Sequence, residues 1–134
     1  GNDVGNTYAE VNLTTQHMYY VKDGQIALET DVVTGNPNKG NDTPTGVYSL
    51  AYKAKDQTLR GTKKADGTYE YETPVKYWMP FNGGVGFHDA SWQPTFGGSR
   101  YLTNGSHGCV NMPSEMAAKL FDLISAGTPV VVHN

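Results

Sequence analysis

A single cysteine stands among glycines and small residues in a chain of 134 residues. Cys109 belongs to the stretch NGSHGCVNMPSEM, residues 104–116, two residues after His107, and His88 lies further upstream. A catalytic thiol needs a base that takes its proton and N–H donors that stabilise the oxyanion of acyl transfer. Because a lone cysteine is more often a small buried hydrophobe, the neighbouring residues must decide between packing and chemistry.

The spacing around Cys109 is compatible with chemistry. His107 and Cys109 are two residues apart, and on an extended segment such residues point to the same side. Gly108 between them leaves its own N–H and that of Cys109 free to approach a carbonyl oxygen. A helix predicted to begin at Pro113 would direct its positive end to this region and favour the thiolate. His88 can reach the thiol only through the fold.

Other chemistries fit these residues less well. Structural zinc requires a paired ligand spacing that is missing here, and GSHG at 105–108 is not the G-x-S-x-G of a serine hydrolase. His17 and His133 lie in strand-like runs and are interpreted as structural or surface residues. We expect neither a metal nor a cofactor. From the residues alone, thiol catalysis and an inert thiol are equally favoured.

The elements that must position these residues are mainly strands. Apolar runs predict strands at 7–13, 17–21, 25–35, 47–53 and 128–134, with the last one inside a sheet. Asp23-Gly24 predicts a hairpin turn, residues 35–46 a loop, and residues 54–76 a long hairpin or flap. One amphipathic helix is predicted at about 113–126, before Gly127 and Pro129.

Composition sets further limits on the protein. The net charge of −3 argues against a nucleic-acid partner, which would require a basic face. No apolar run approaches the roughly 20 residues of a membrane span. The glycines at 83, 84 and 86 are interpreted as a close backbone approach beside a strand rather than a phosphate cradle. We expect a single domain over residues 1–134, with upstream domains or a membrane anchor in the full-length protein.

The motifs around His88 and Cys109 are similar to those of a known family. GFHDA at 86–90 is followed, after 17 residues from Asp89 to Gly105, by SHGCVNM at 106–112, and TGNPNKGNDTPTGVYSL lies upstream. This arrangement resembles the YkuD-type L,D-transpeptidases, the catalytic domains of bacterial cell-wall cross-linking enzymes. The resemblance implies a mainly β fold, a sandwich of mixed sheets with one long C-terminal helix and few short helices. It also implies a Gram-positive source.

The resemblance implies a role for each motif residue. Cys109 would be the nucleophile and His88 the base, with the backbone carbonyl of Asp89 as the third member. His107 would help to orient or polarise the site. The N–H groups of Gly108 and Cys109, with that of His107, would form the oxyanion hole.

Supporting and substrate-binding roles follow from the same resemblance. Ser106 and Asn111 would hold the loop in shape, and Asn111 would also contact substrate. Because HDA departs from the usual HG pattern, the Asp89 carboxylate is expected to meet solvent or local hydrogen bonds. The candidate walls of a substrate cleft, covered by the 54–76 flap, are Trp78, Trp92, Tyr77 and Gly86. By residue type, Lys53 and Arg100 could hold substrate carboxylates.

The implied reaction is L,D-transpeptidation of peptidoglycan. A thioester on Cys109, formed from a tetrapeptide stem, would pass to an acceptor amine as a 3→3 cross-link, with hydrolysis as a side activity. Stem peptides are the implied partners, carbapenems the implied covalent inhibitors, and sensitivity to many other β-lactams is expected to be low. We expect a monomer at the cell surface. The alternative is a catalytically idle wall-binding module of the same fold.

Overall fold

The structure is a computed structural model that describes residues 5–61 and 63–134. Nine strands, two α-helices and a 3-10 helix (Pro37–Lys39) follow one another in the described residues. The strands are β1 Tyr8–Asn12, β2 His17–Lys22, β3 Gln25–Asp31, β4 Gly46–Ser49, β5 Ala54–Arg60, β6 Glu72–Asn82, β7 Val85–Asp89, β8 Val110–Met112 and β9 Pro129–His133. The helices are α1 Arg100–Asn104 and α2 Ser114–Leu123.

A five-stranded sheet, in the order β3-β2-β1-β9-β4, forms one side of the fold. The predicted hairpin turn joins β2 and β3: Asp23 and Gly24 both have positive φ, 53° and 81°, between the paired residues Lys22 and Gln25. Such φ values at both central residues match the right-handed twist of the strands. β9 lies inside the sheet, parallel to β1 and antiparallel to β4.

The second sheet, in the order β5-β6-β7-β8, carries the candidate chemistry. β5 and β6 form an antiparallel hairpin that corresponds to the predicted flap. β7 pairs antiparallel with β6 and parallel with β8. The parallel register sets His88 opposite Asn111, and Phe87 opposite Val110. The mostly β, two-sheet fold that the sequence predicts is therefore confirmed.

One hydrophobic core joins both sheets and α2. Its fully buried members include Val11 and Val130 from the first sheet, Phe87 and Val110 from the second, and Leu120 from α2. Burial of a side chain of this size stabilises the fold by about 1.5–3 kcal/mol relative to its exposure. Packing against this core therefore fixes the position of the sheet that carries His88.

The predicted helix at 113–126 is too long at both ends. α2 begins at Ser114, because Pro113 has an extended conformation with ψ 139°, and it ends at Leu123. Ile124 also turns extended, with ψ 148°, and its side chain is fully buried in the core. Core packing of Ile124 therefore ends the helix before the glycine does. In the part of the chain that the structure describes, no helix has the length and apolarity needed to cross a membrane.

Candidate active site

A cavity of about 320 Å³ opens beside the end of β7 and the start of β8. It brings together the two candidate histidines and the thiol. The lining residues come from strands β7 and β8 (His88, Asn111), from the segment before β8 (Gly105, Ser106, His107, Cys109), from the flap (Leu59, Tyr71, Thr73), and from helix α1 and the loop before it (Trp92, Gln93, Arg100, Asn104).

Strand pairing brings the candidate base close to the segment that carries the thiol. His88 lies directly opposite Asn111 in the parallel pair of β7 and β8. Cys109 lies just before β8 and lines the same cavity as His88 and Asn111. His88 and Cys109 consequently share the cavity, although 20 residues separate them in the sequence.

His88 is held as a neutral imidazole. The side chain is 3% exposed, and its Nδ1 lies 2.7 Å from the backbone oxygen of Asp89. Because a carbonyl only accepts, Nδ1 carries the proton and Nε2 keeps a free lone pair. Burial lowers the pKa of His88 below its ordinary value of 6.5, although the Asp89 carbonyl acts in the opposite direction. A neutral imidazole with a free Nε2 can accept a proton from a thiol.

Cys109 is held as a thiol. Its Sγ donates to the Gly84 backbone oxygen over 3.3 Å. Burial raises the pKa of Cys109 to about 11, although a hydrogen bond from the backbone of Gly86 acts in the opposite direction. The effect of α2 on the thiolate stays a prediction, because the causes of this pKa shift are burial and the Gly86 hydrogen bond. A thiol with a pKa of about 11 keeps its proton near neutral pH.

The Asp89 carboxylate has a structural partner outside the cavity. It is 5% exposed, and its Oδ1 accepts the backbone N–H groups of Lys76 and Tyr77, each at 2.9 Å. Of the two expected environments, solvent or local hydrogen bonds, the second is present. Asp89 thus uses its carbonyl to orient His88 and its carboxylate to hold β6.

Gly108 has a backbone conformation that favours glycine, with φ at +128°. Its N–H donates to Ser106 Oγ over 3.1 Å, and its carbonyl accepts from Thr43 Oγ1 at 2.6 Å. The expectation that this N–H is free for an oxyanion is corrected here, because the serine hydroxyl occupies it. From the predicted set, the N–H groups of Cys109 and His107 remain candidate oxyanion donors.

Ser106 fixes the segment that carries the thiol. Its hydroxyl donates to the Cys109 carbonyl over 2.5 Å while it accepts from Gly108. Its backbone bonds to Thr34 and Asn36 join this segment to the chain that follows β3. Ser106 therefore has the contacts of a loop-holding residue.

Thr43 was not among the predicted site residues. Its hydroxyl accepts from the Gly35 N–H at 3.0 Å as it donates to Gly108, so it ties the 35–46 loop to the thiol segment. The signal for it was the TPTG motif, of which it is the first residue.

Asn111 combines a fixed backbone with an unpartnered side chain. Its N–H and carbonyl both bond to Val33, over 2.8 and 3.0 Å. The residue is 1% exposed, and its Oδ1 has no hydrogen-bond partner among the residues that the structure describes. A buried acceptor without a donor is costly, so a donor from substrate would be stabilised there.

His107 is oriented toward the flap. Its ring stacks on Tyr71, with centroids 4.4 Å apart and an angle of 25° between the planes. Its Nε2 lies 4.0 Å from Glu70 Oε1, and the side chain is half-exposed. Burial raises the pKa of Tyr71, and so do the charge of nearby Glu70 and the charge that Cys109 carries once it is a thiolate. The sequence pattern did not single out Tyr71, because nothing local links it to residue 107.

Only one of the predicted substrate walls lines this cavity. Trp92 is 49% exposed and its ring lies 5.8 Å from that of His88. Trp78 is buried, 6.1 Å from His88, and its Nε1 donates to the Tyr52 hydroxyl. Tyr77 packs on Phe121 instead.

Gly86 and Lys53 lie outside the cavity in which substrate contacts were expected of them. A Cβ on Gly86 would lie 2.5 Å from the Cα of Pro80, so this glycine permits close strand approach, as the sequence indicated. Lys53 donates to the carbonyl of Phe121 over 2.6 Å, where it caps the last turn of α2. Neither residue lines the cavity. Among the described residues, no group of three or more His, Cys, Asp or Glu side chains could hold a metal ion.

Comparison with known proteins agrees with this geometry. The profile of the YkuD family, the L,D-transpeptidase catalytic domain, matches residues 6–132. L,D-transpeptidase 1 of Mycobacterium tuberculosis is 25% identical over 98% of this chain, which corresponds to 53% of the relative. The chain thus spans about half the length of the curated relatives that it matches.

Two solved structures from Enterococcus faecium are more similar in sequence. The crystal structure of an L,D-transpeptidase with a cysteine-to-serine mutation is 50% identical, with a TM-score of 0.87 over 96% of this chain and 50% of that one. The NMR structure of the catalytic domain acylated by ertapenem is also 50% identical, with a TM-score of 0.82 over 98% of this chain and 99% of that one.

Proposed function

Because the chain belongs to the YkuD family of L,D-transpeptidase catalytic domains, we propose that it forms 3→3 peptidoglycan cross-links through a thioester on Cys109. The observation that carries this proposal is the pair in the cavity. A neutral His88, oriented by the Asp89 carbonyl, lines the same cavity as a protonated Cys109, which lies just before β8. Stem peptides are the proposed substrates, and the cell wall is the proposed location.

The first half-reaction forms the acyl-enzyme. Nε2 of His88 takes the thiol proton as Sγ attacks the carbonyl carbon between the third residue of the donor stem and its terminal D-Ala. The oxyanion is stabilised by the Cys109 N–H and collapses to a thioester. The imidazolium then gives its proton to the leaving amine, and D-Ala departs.

The second half-reaction transfers the acyl group. A side-chain amine of the acceptor stem attacks the thioester and loses a proton to His88, which returns that proton to the departing sulfur. Asn111 Oδ1, a buried acceptor without a partner among the described residues, is suited to receive an N–H from a bound stem. Water in place of the amine gives L,D-carboxypeptidase activity.

The same thiol is the proposed site of β-lactam acylation. The similar E. faecium catalytic domain is known in a form acylated by ertapenem. A carbapenem would open on Cys109 by the same proton transfer to His88. We expect weaker reaction with many other β-lactams.

Intact-mass measurement tests the proposal. Wild type, Cys109→Ala and His88→Ala are incubated with a carbapenem, and D-Ala release from a tetrapeptide donor is followed in parallel. We expect a single adduct on wild type, none on Cys109→Ala, and acylation slowed by about 100-fold or more on His88→Ala. A wild type that forms no adduct and releases no D-Ala would contradict the proposal and favour a wall-binding module, whose binding would survive Cys109→Ala.

A further inference from the structure

Arg100 lines the same cavity as Cys109 and His88. It is the first residue of α1 and is partly exposed. The chain contains one other arginine, Arg60 on β5, whose Nε lies 3.7 Å from a carboxylate oxygen of Glu72. The two arginines therefore differ in what surrounds their charge.

A buried amide holds the guanidinium of Arg100 in place. Arg100 Nε donates to Gln93 Oε1 over 3.0 Å, and Gln93 is 8% exposed. The Gln93 Nε2 donates to the backbone oxygen of Asn104 over 2.9 Å, which fixes which end of the amide faces the arginine. A neutral partner at Nε orients the group without cancelling its charge.

Within residues 5–61 and 63–134, the charge of Arg100 has no carboxylate partner. No carboxylate of the described residues lies within ion-pair distance of it, and none of the described residues that line the cavity is Asp or Glu. A guanidinium presents its remaining N–H groups as a planar fork that matches a carboxylate in two hydrogen bonds. An oriented, unpaired guanidinium in a reaction cavity is therefore complementary to an anionic ligand.

We propose that Arg100, positioned by Gln93, binds a carboxylate of the stem peptide. The inference rests on the proposed function and adds the group by which substrate is recognised. The terminal D-Ala of the donor carries such a carboxylate next to the bond that breaks, and an acceptor stem can carry one as well. Trp92, adjacent to Gln93 and exposed in the cavity, supplies an apolar surface beside this charge.

Paired substrates measure this recognition. The turnover of a tetrapeptide donor with a free C-terminal carboxylate is compared with that of its carboxamide, and an acceptor with a carboxylate is compared with its amide. The ratio of kcat/KM within each pair is the readout, because a general loss of folded enzyme or of flap function leaves it unchanged. Wild type is measured beside Arg100→Gln, Arg100→Lys, Gln93→Glu and the matched control Arg60→Gln.

We expect wild type and Arg60→Gln to prefer the carboxylate form of one partner by about ten- to hundredfold, the range of charge-assisted hydrogen bonds. Arg100→Gln should reduce this ratio to near one with little effect on the carboxamide, and Arg100→Lys should keep part of it. Gln93→Glu should also reduce it, since an internal carboxylate would then pair with Arg100. A preference in the donor pair shows that Arg100 binds the carboxylate of the donor, and a preference in the acceptor pair shows that it binds that of the acceptor.

The outcomes that would overturn the role of Arg100 differ from the outcome that would overturn the proposed function. A wild type that turns over the donor but shows no carboxylate preference in either pair would overturn the role of Arg100 alone. A preference that persists in Arg100→Gln would do the same. A wild type inactive on every donor would instead overturn the transpeptidase proposal.

Discussion

Burial shifts the pKa values of the proposed base and the proposed nucleophile in opposite directions, and both shifts favour the uncharged form. It lowers the pKa of His88, which must be neutral to act as a base, and it raises the pKa of Cys109 to about 11. A cysteine without such burial would be partly thiolate near neutral pH and open to oxidation. A neutral pair keeps the sulfur unreactive until a substrate carbonyl is in place.

The expected pH dependence of acylation follows from the directions of these two pKa shifts. The reactive form has neutral His88 and protonated Cys109. We expect the rate of carbapenem acylation to rise with pH below 6.5, as His88 loses its proton, and then to stay level through about pH 9. In His88→Ala the rate should instead rise about tenfold per pH unit, because only the thiolate fraction reacts. The same steep rise in wild type between pH 7 and 9 would contradict a role for His88 as base.

Local spacing and motif resemblance were enough to single out three residues of the candidate site. His88, His107 and Cys109 do line one cavity. The contacts that set their states were not accessible in this way. The occupation of the Gly108 N–H by Ser106 depends on a turn conformation, and the partner of the Asp89 carboxylate lies on another strand. The sequence gives the residue types, but these contacts depend on turn conformation and on strand pairing, which local spacing does not determine.

At the scale of elements, the flap formed by β5 and β6 is joined to the thiol segment by one aromatic contact. Tyr71, just before β6, stacks on His107, and Glu70 lies beside the same ring. The hairpin continues along β6, where the Asp89 carboxylate accepts two backbone N–H groups. The flap is thus fixed at its base and touches the site through a half-exposed pair of rings.

Shortening this flap should affect substrates according to their size. Removal of residues 64–67, at the tip, should reduce cross-linking by on the order of tenfold while carbapenem acylation changes little, because a stem peptide needs a longer wall to be positioned. Tyr71→Leu, which removes the stack without shortening the hairpin, separates contact from length. Product formation and adduct mass are measured on the same preparations, and equal losses in both would contradict a role of the flap in holding stem peptides.

Element types were better predicted than their ends. The strands, the Asp23-Gly24 turn and the hairpin at 54–76 were all indicated by apolar alternation and turn residues. The end of α2 was missed by three residues because Ile124 leaves the helix to pack in the core. Core packing is a tertiary effect, and helix propensity within the segment does not report it.

At the scale of the whole molecule, α2 stabilises the site without contributing to it. Leu120 is fully buried, and Leu123 on the same helix is 37% exposed. We expect Leu120→Ala to lower the free energy of unfolding by about 2–5 kcal/mol, and Leu123→Ala to lower it by much less. Urea unfolding measures the free energy of unfolding of both variants. Equal losses in the two would contradict a larger contribution of Leu120 to the core.

The position of β9 inside the first sheet also determines when the protein can fold. β9 is the last strand in sequence order, yet it lies between β1 and β4, and in the described sheet β4 pairs with no other strand. During synthesis the chain emerges from the ribosome with β1 and β4 already made but unable to join. Pairings between such distant segments form slowly, so the sheet closes only after β9 has been released.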